Sequence, residues 1–186
     1  MASLWYALFT WNIPPASEEE LKTADAIVTQ AYSPLKNNAP GPGNDILAKV
    51  TRALYERYRL PVLPQEDVAN ADPSLPIQEK ICAKNGETPD GLSTLTWNTH
   101  TVAARQAETC KAHGWKKVIV VAFPPHMGRA VAVYRKVGLV PLPAKMPPGT
   151  ARYTCSQIKD PTLRFPIGAI AREFLARLLF FWKGWM

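Results

Sequence analysis

Apolar residues in this chain fall into short continuous runs, with stretches of helical spacing between them. The run Asp25-Ala26-Ile27-Val28-Thr29-Gln30-Ala31 is short and β-rich, and predicts a first buried strand. After the loop Pro40-Gly41-Pro42-Gly43, Asn44 or Asp45 can cap a helix to about Tyr58, with Ile46, Val50, Ala53 and Leu54 on one stripe. Leu60-Pro61-Val62-Leu63 reads as a brief second strand, its proline marking a strand start or an edge. Residues 64–76 are rich in proline and predict irregular chain, followed by a short helix over about 76–84.

The second half repeats the alternation more clearly. Asn98 can cap a helix from Thr99 to His113, which Gly114 ends in a left-handed position. Lys117-Val118-Ile119-Val120-Val121-Ala122-Phe123 is apolar without alternation, as expected of a strand buried on both faces of a parallel sheet. Pro125 or His126 opens the next helix, which closes at Gly138, and Leu139-Val140-Pro141-Leu142 forms a further strand. A last helix spans roughly 166–182. This order is that of an α/β fold with a mainly parallel sheet.

Composition narrows the class. A chain of 186 residues suits one domain, with 1–24 as an N-terminal extension and 165–186 as a closing helix. Hydrophobic residues at 47% exclude wholesale disorder. The apolar start, Met1 to Phe9, has no basic residue before it and runs into Pro14-Pro15 and Glu18-Glu19-Glu20, which suits neither a signal peptide nor a stop-transfer segment. No apolar stretch reaches the roughly 18 residues of a spanning helix. Cys82, Cys110 and Cys155 lie far apart without metal spacing, so a reducing, cytoplasmic setting and no metal centre are expected.

Charge changes the picture further. The net charge is +7, yet residues 1–100 hold 8 basic and 12 acidic side chains (−4), whereas residues 101–186 hold 14 and 3 (+11). Such asymmetry marks either a surface that meets anions or a solvated basic face. With no basic-aromatic array and no recognition-helix signature, nucleic acid is not expected as a partner.

In parallel sheets, ligands bind in the crevice beyond the carboxyl ends of the strands. Two segments reach that edge. In Phe123-Pro124-Pro125-His126-Met127-Gly128-Arg129, His126 and Arg129 share one helix face in the first turn, where free amides favour an anion. Arg129 can grip a carboxylate or phosphate with both arms of its fork, and His126 can donate a hydrogen bond or move a proton as the catalytic residue. Arg129 can equally form a salt bridge, with Glu87 or Asp90 as partner. The other segment is Thr96-Trp97-Asn98-Thr99-His100, in which Thr96, Asn98, Thr99 and His100 are candidate ligand-binding residues and Asn98 alone would suffice as a cap. His100 either faces the crevice or lies exposed, and His113 before Gly114 reads as a charge at a helix C-terminus.

The stretch Val118 to Ala130, with His126-Met127-Gly128-Arg129-Ala130 at its end, followed by Tyr134-Arg135-Lys136-Val137-Gly138-Leu139, resembles the YdcF-like family, which takes in the ElyC and SanA envelope proteins. Thr96-Trp97-Asn98-Thr99 is similar to that family's Ser-x-Asn-Thr helix start, and Asp25 to Val28, Leu54-Tyr55, Pro61 to Leu63 and Glu173 to Leu175 resemble its other elements. The resemblance implies a Rossmann-like three-layer sandwich. It implies a small anionic or nucleotide-like ligand, such as the adenosyl compound S-adenosylmethionine, and a role in bacterial envelope homeostasis. The chain is a divergent member on this reading: Gln30-Ala31 and Pro64-Gln65-Glu66 stand where the family has glycines, and Ser93, Thr101 and Val102 where it has glutamates and an asparagine.

A second function class rests on Phe174, Leu175, Leu178, Leu179, Phe180, Phe181, Trp182 and Trp185, interleaved with Arg172, Arg177 and Lys183. This mix suits a non-catalytic adaptor that meets a membrane surface or a protein partner through its last helix. The other reading is a helix packed on the sheet or on the Leu4–Trp11 segment.

Overall fold

The computed structural model describes residues 13–32, 35–37, 39–81, 99–148, 150 and 166–185. The elements are α1 (Glu18–Leu21), β1 (Ala26–Thr29), α2 (Pro42–Tyr58), β2 (Val62–Leu63), α3 (Glu66–Ala71), α4 (Thr99–Ala112), β3 (Lys117–Val121), α5 (Pro124–Lys136), β4 (Val140–Pro143) and α6 (Pro166–Trp182). The strands form one four-stranded sheet in the order β2-β1-β3-β4, and every pairing is parallel. The α/β, Rossmann-like three-layer architecture is therefore the fold of the protein.

Alternation along the strands divides two cores. Ala26, Val28, Val118 and Val120 face Ala103, Cys110, Ala130 and Tyr134 of α4 and α5. Ile27, Val62, Ile119 and Val121 face Leu21, Leu47, Ala48 and Val68 of α1, α2 and α3. Burial on both faces explains the unbroken apolar runs of β1 and β3. The order of strands reverses between β1 and β3, since the chain leaves β1 for β2 on one side and returns to β3 on the other. The carboxyl ends of these two strands define the crevice of the fold.

Local chemistry departs from the sequence expectations in a few places. Helix α2 begins at Pro42, with Gly41 as its N-cap rather than Asn44 or Asp45. Pro is at home in the first turn, where no N–H is needed. Asn44 is buried and serves elsewhere, as a reciprocal amide pair with the Tyr32 backbone at 2.7 and 3.1 Å. The buried stripe accordingly runs through Leu47, Ala48 and Thr51, with Ala53 exposed and Ile46, Val50 and Leu54 at its edge. Residues 66–71 form α3 where irregular chain was expected. Through Ile81, the segment expected as a helix instead makes single parallel bridges, Val62 to Ile77 and Gln65 to Ile81. Gly114 and Gly138 end α4 and α5 at φ +74° and +89°, a conformation that a side chain resists.

No described helix is long and apolar enough to cross a membrane.

Candidate functional site

Helices α4 and α5 both begin at the carboxyl edge of the sheet, one opening with Thr99 and the other carrying His126 in its first turn. That shared origin brings Thr99, His126 and Arg129 into one hydrogen-bonded cluster. The Arg129 guanidinium donates from Nη1 to Thr99 Oγ1 at 2.5 Å and from Nη2 to His126 Nδ1 at 2.8 Å. Its fork faces Glu173 of α6, with Nε at 3.0 and 3.2 Å from the two carboxylate oxygens and Nη2 at 2.9 Å from Oε2. Arg177, one turn along α6, donates from Nε to Glu173 Oε1 at 3.1 Å and from Nη2 to the Pro125 carbonyl at 3.2 Å. The Phe180 ring lies under the Arg129 guanidinium at 4.9 Å. Arg129, Glu173 and Arg177 are all buried. The partner of Arg129 is thus Glu173; Glu87 and Asp90 fall outside the described residues, as do Thr96 and Asn98.

This geometry fixes the His126 tautomer. A guanidinium N–H only donates, so Nδ1 accepts, and the ring proton of the neutral imidazole sits on Nε2, 3.1 Å from Thr99 Oγ1, to which it donates. Burial, reinforced by the charges of Arg129, Arg172 and Arg177, holds the His126 pKa well below the ordinary imidazole value. Both ring nitrogens are therefore engaged. As arranged, His126 is a neutral hydrogen-bond donor, with no free lone pair to take a proton from a substrate.

A second polar network lies beneath. Gln30 donates to the Tyr134 hydroxyl at 2.9 Å, which donates to Gln106 Oε1 at 2.5 Å. Gln106 Nε2 then caps the last carbonyls of β1 and β2, Thr29 at 3.1 Å and Leu63 at 2.7 Å. Just past the end of β1, Gln65 Oε1 accepts the Ala31 N–H at 2.8 Å. Across the mouth, the Tyr32 and Phe123 rings stack at 4.2 Å between centroids. At the base of the crevice between β1 and β3, Gln30, Tyr134 and Gln106 are thus hydrogen-bonded in series.

His100 points to the α6 side of α4, where its ring stacks on Trp185 at 4.5 Å and Trp185 meets Phe180 edge-on. His113 stacks on Trp115 at 4.4 Å, at the other end of α4. There the ends of α4 and α5 bound an open, largely apolar hollow of about 420 Å³ that includes Ala107, Lys111, Trp115 and Gly138. Burial pushes the Cys110 thiol up to about 12, so it stays protonated beneath the sheet. Among the described residues, no group of His, Cys, Asp or Glu side chains could hold a metal ion.

Glu173, Arg177, Gln30, Gln106 and Tyr134 escaped the sequence reading as members of the site. Glu173 did carry a signal: it is the only acidic residue after Asp160, four positions from Arg177 in an otherwise apolar and basic helix. Searches among family models, curated proteins and solved structures return no match to this chain.

Proposed function

We propose that this chain is a divergent YdcF-like domain that binds a small anionic metabolite at the carboxyl edge of its sheet, with Arg129 as the anchoring charge and His126 and Thr99 as neutral partners. One observation carries the reading. Arg129 and Arg177 grip a single carboxylate, with His126 and Thr99 bonded to the same Arg129 fork, and that carboxylate comes from the chain itself. A cradle that fits Glu173 has the donors to fit another carboxylate or a phosphate. The phosphate of a nucleotide or phosphorylated sugar, or the carboxylate of a compound such as S-adenosylmethionine, would take the place of Glu173. The engaged lone pair of His126 favours binding over proton transfer, and the envelope role implied by the resemblance belongs to the same proposal.

Chemical rescue tests it. Glu173→Ala is expected to regain thermal stability with formate or acetate in a saturable way, against chloride at equal ionic strength, and Arg129→Lys in the same background should abolish the rescue. In the unmodified protein, a metabolite of the right class at a hundred times its Kd should stabilise by about 2.7 kcal/mol. If no anion produces a saturable shift in either protein, Glu173 is architecture and the reading fails.

A further inference from the structure

Helix α6 is built inside out. At roughly 100° per residue, its buried side chains Glu173, Arg177 and Phe180 fall within about 60° of arc. The exposed side carries Ile167, Ile170, Leu175, Leu178, Leu179, Phe181 and Trp182 over about 180° of arc. Ile167 and Trp182, near its two ends, are each 82% exposed and Leu175 is 64% exposed. A surface helix normally turns such residues inward. Here the ionic residues face the protein and the apolar residues face out, which is a contiguous apolar patch of the kind that marks an interaction surface.

Geometry and charge select the occupant. A 17-residue helix presents a face of roughly 25 Å by 10 Å, a few hundred Å² against the roughly 800 Å² that each partner buries in a stable protein complex. An apolar arc of about half the circumference is also wider than the seam through which one helix meets another. A lipid surface has no such limit, since it wraps whatever arc is offered. The only acidic residue of α6 is Glu173, and it is turned inward. Arg172 is exposed at the border of the apolar arc, Lys183 follows the helix, and the segment 101–186 carries 14 basic against 3 acidic residues. Trp182 near the C-terminal end has the amphipathic ring that settles at a headgroup boundary.

We propose that α6 is an interfacial helix that lays its outer face, Ile167 to Trp182, into the headgroup region of an anionic membrane, with the α/β body held on the water side by the Glu173–Arg129 ion pair and the hydrogen bond from Arg177 to the Pro125 carbonyl. The outer face shares α6 with Glu173 but uses none of the side chains of the anion cradle, so vesicle binding by the Leu175 and Leu178 side is read apart from any metabolite binding. It also explains why those charges are inside: they dock the helix to the body without consuming its apolar face.

Flotation of the full chain with vesicles decides it. The protein should bind phosphatidylcholine vesicles containing roughly one-third phosphatidylglycerol, at least about tenfold better than phosphatidylcholine alone, and less well as salt rises. The double variant Leu175→Glu/Leu178→Glu should lose about tenfold or more of that binding with its melting temperature unchanged. Three results would overturn the proposal. One is no binding at low salt, or binding that the variant leaves intact. Another is a dimer in sedimentation that the variant dissolves, which would make a second copy the occupant. The third is a variant of clearly lower melting temperature, which would mean that the chain's own residues cover the face.

Discussion

Helices α5 and α6 lie against each other and obey opposite rules. In α5, Met127, Ala130, Val131, Val133 and Tyr134 turn to the core beside one buried charge, Arg129, and Arg135 and Lys136 end the helix in solvent. In α6, Glu173 and Arg177 are inside and Leu175 and Trp182 are outside. Both sequences have helical periodicity, so periodicity identifies the helix but not the face it buries. For α5, burial of apolar area decides the face. For α6, a bidentate carboxylate–guanidinium pair with fixed geometry decides it, because a charge left unpaired against the core costs more than exposed leucine.

The contrast makes the effects of substitution run backwards on α6. The largest effect is expected at Glu173→Ala, which strands Arg129 and Arg177 without their carboxylate and should destabilise the protein by about 3–5 kcal/mol in denaturant titration. A loss below about 1 kcal/mol would mean that the cluster is screened like a surface pair.

Next comes acid. The folded pKa of His126 lies below its unfolded value, so its contribution to stability is complete above that unfolded value and is lost as pH falls towards the folded one. Between the two, stability should decline by up to about 1.4 kcal/mol per pH unit, and His126→Gln should flatten that part of the curve. An unchanged slope in the variant would show that another group titrates there.

The smallest effect belongs to Leu175→Glu. A core position of α5 such as Val133 could not accept a carboxylate, but Leu175 is exposed and the change should stay within about 0.5 kcal/mol of the parent. Circular dichroism melts of this variant beside Glu173→Ala would display the inversion directly.

These expectations also measure what the sequence disclosed. The strand Lys117–Val121 and the helix Pro166–Trp182 were legible because each is a strong local pattern between clear breaks. The α2 stripe was misplaced because the helix begins earlier, at Pro42, and α3 was missed because six residues carry too little period to read. Thr99, His126 and Arg129 could be grouped in advance, since two helices that start at the same sheet edge must converge. Glu173 could not, because it lies 44 positions from Arg129 and nothing local says that α6 turns a charge inward. The sequence left Arg129 two roles, an anion grip and a salt bridge, and Arg129→Lys separates them. With the fork buried against Glu173, that substitution now carries a stability cost of its own.

The parallel register has a consequence for how the chain folds. β1 and β2 come from the acidic half and β3 and β4 from the basic half, and the central pairing joins Ala26 to Val118. Neither half can complete the sheet alone, so folding has to bring distant segments together. Opposite net charges draw those segments together across the open chain and lose their reach in salt. The stitch is visible at the start of the seam: Asp25 of the acidic half holds the backbone N–H groups of both Lys116 and Lys117 at 2.8 Å. The charge asymmetry of this protein is in that sense an instruction for assembly, written along the chain before any partner is met.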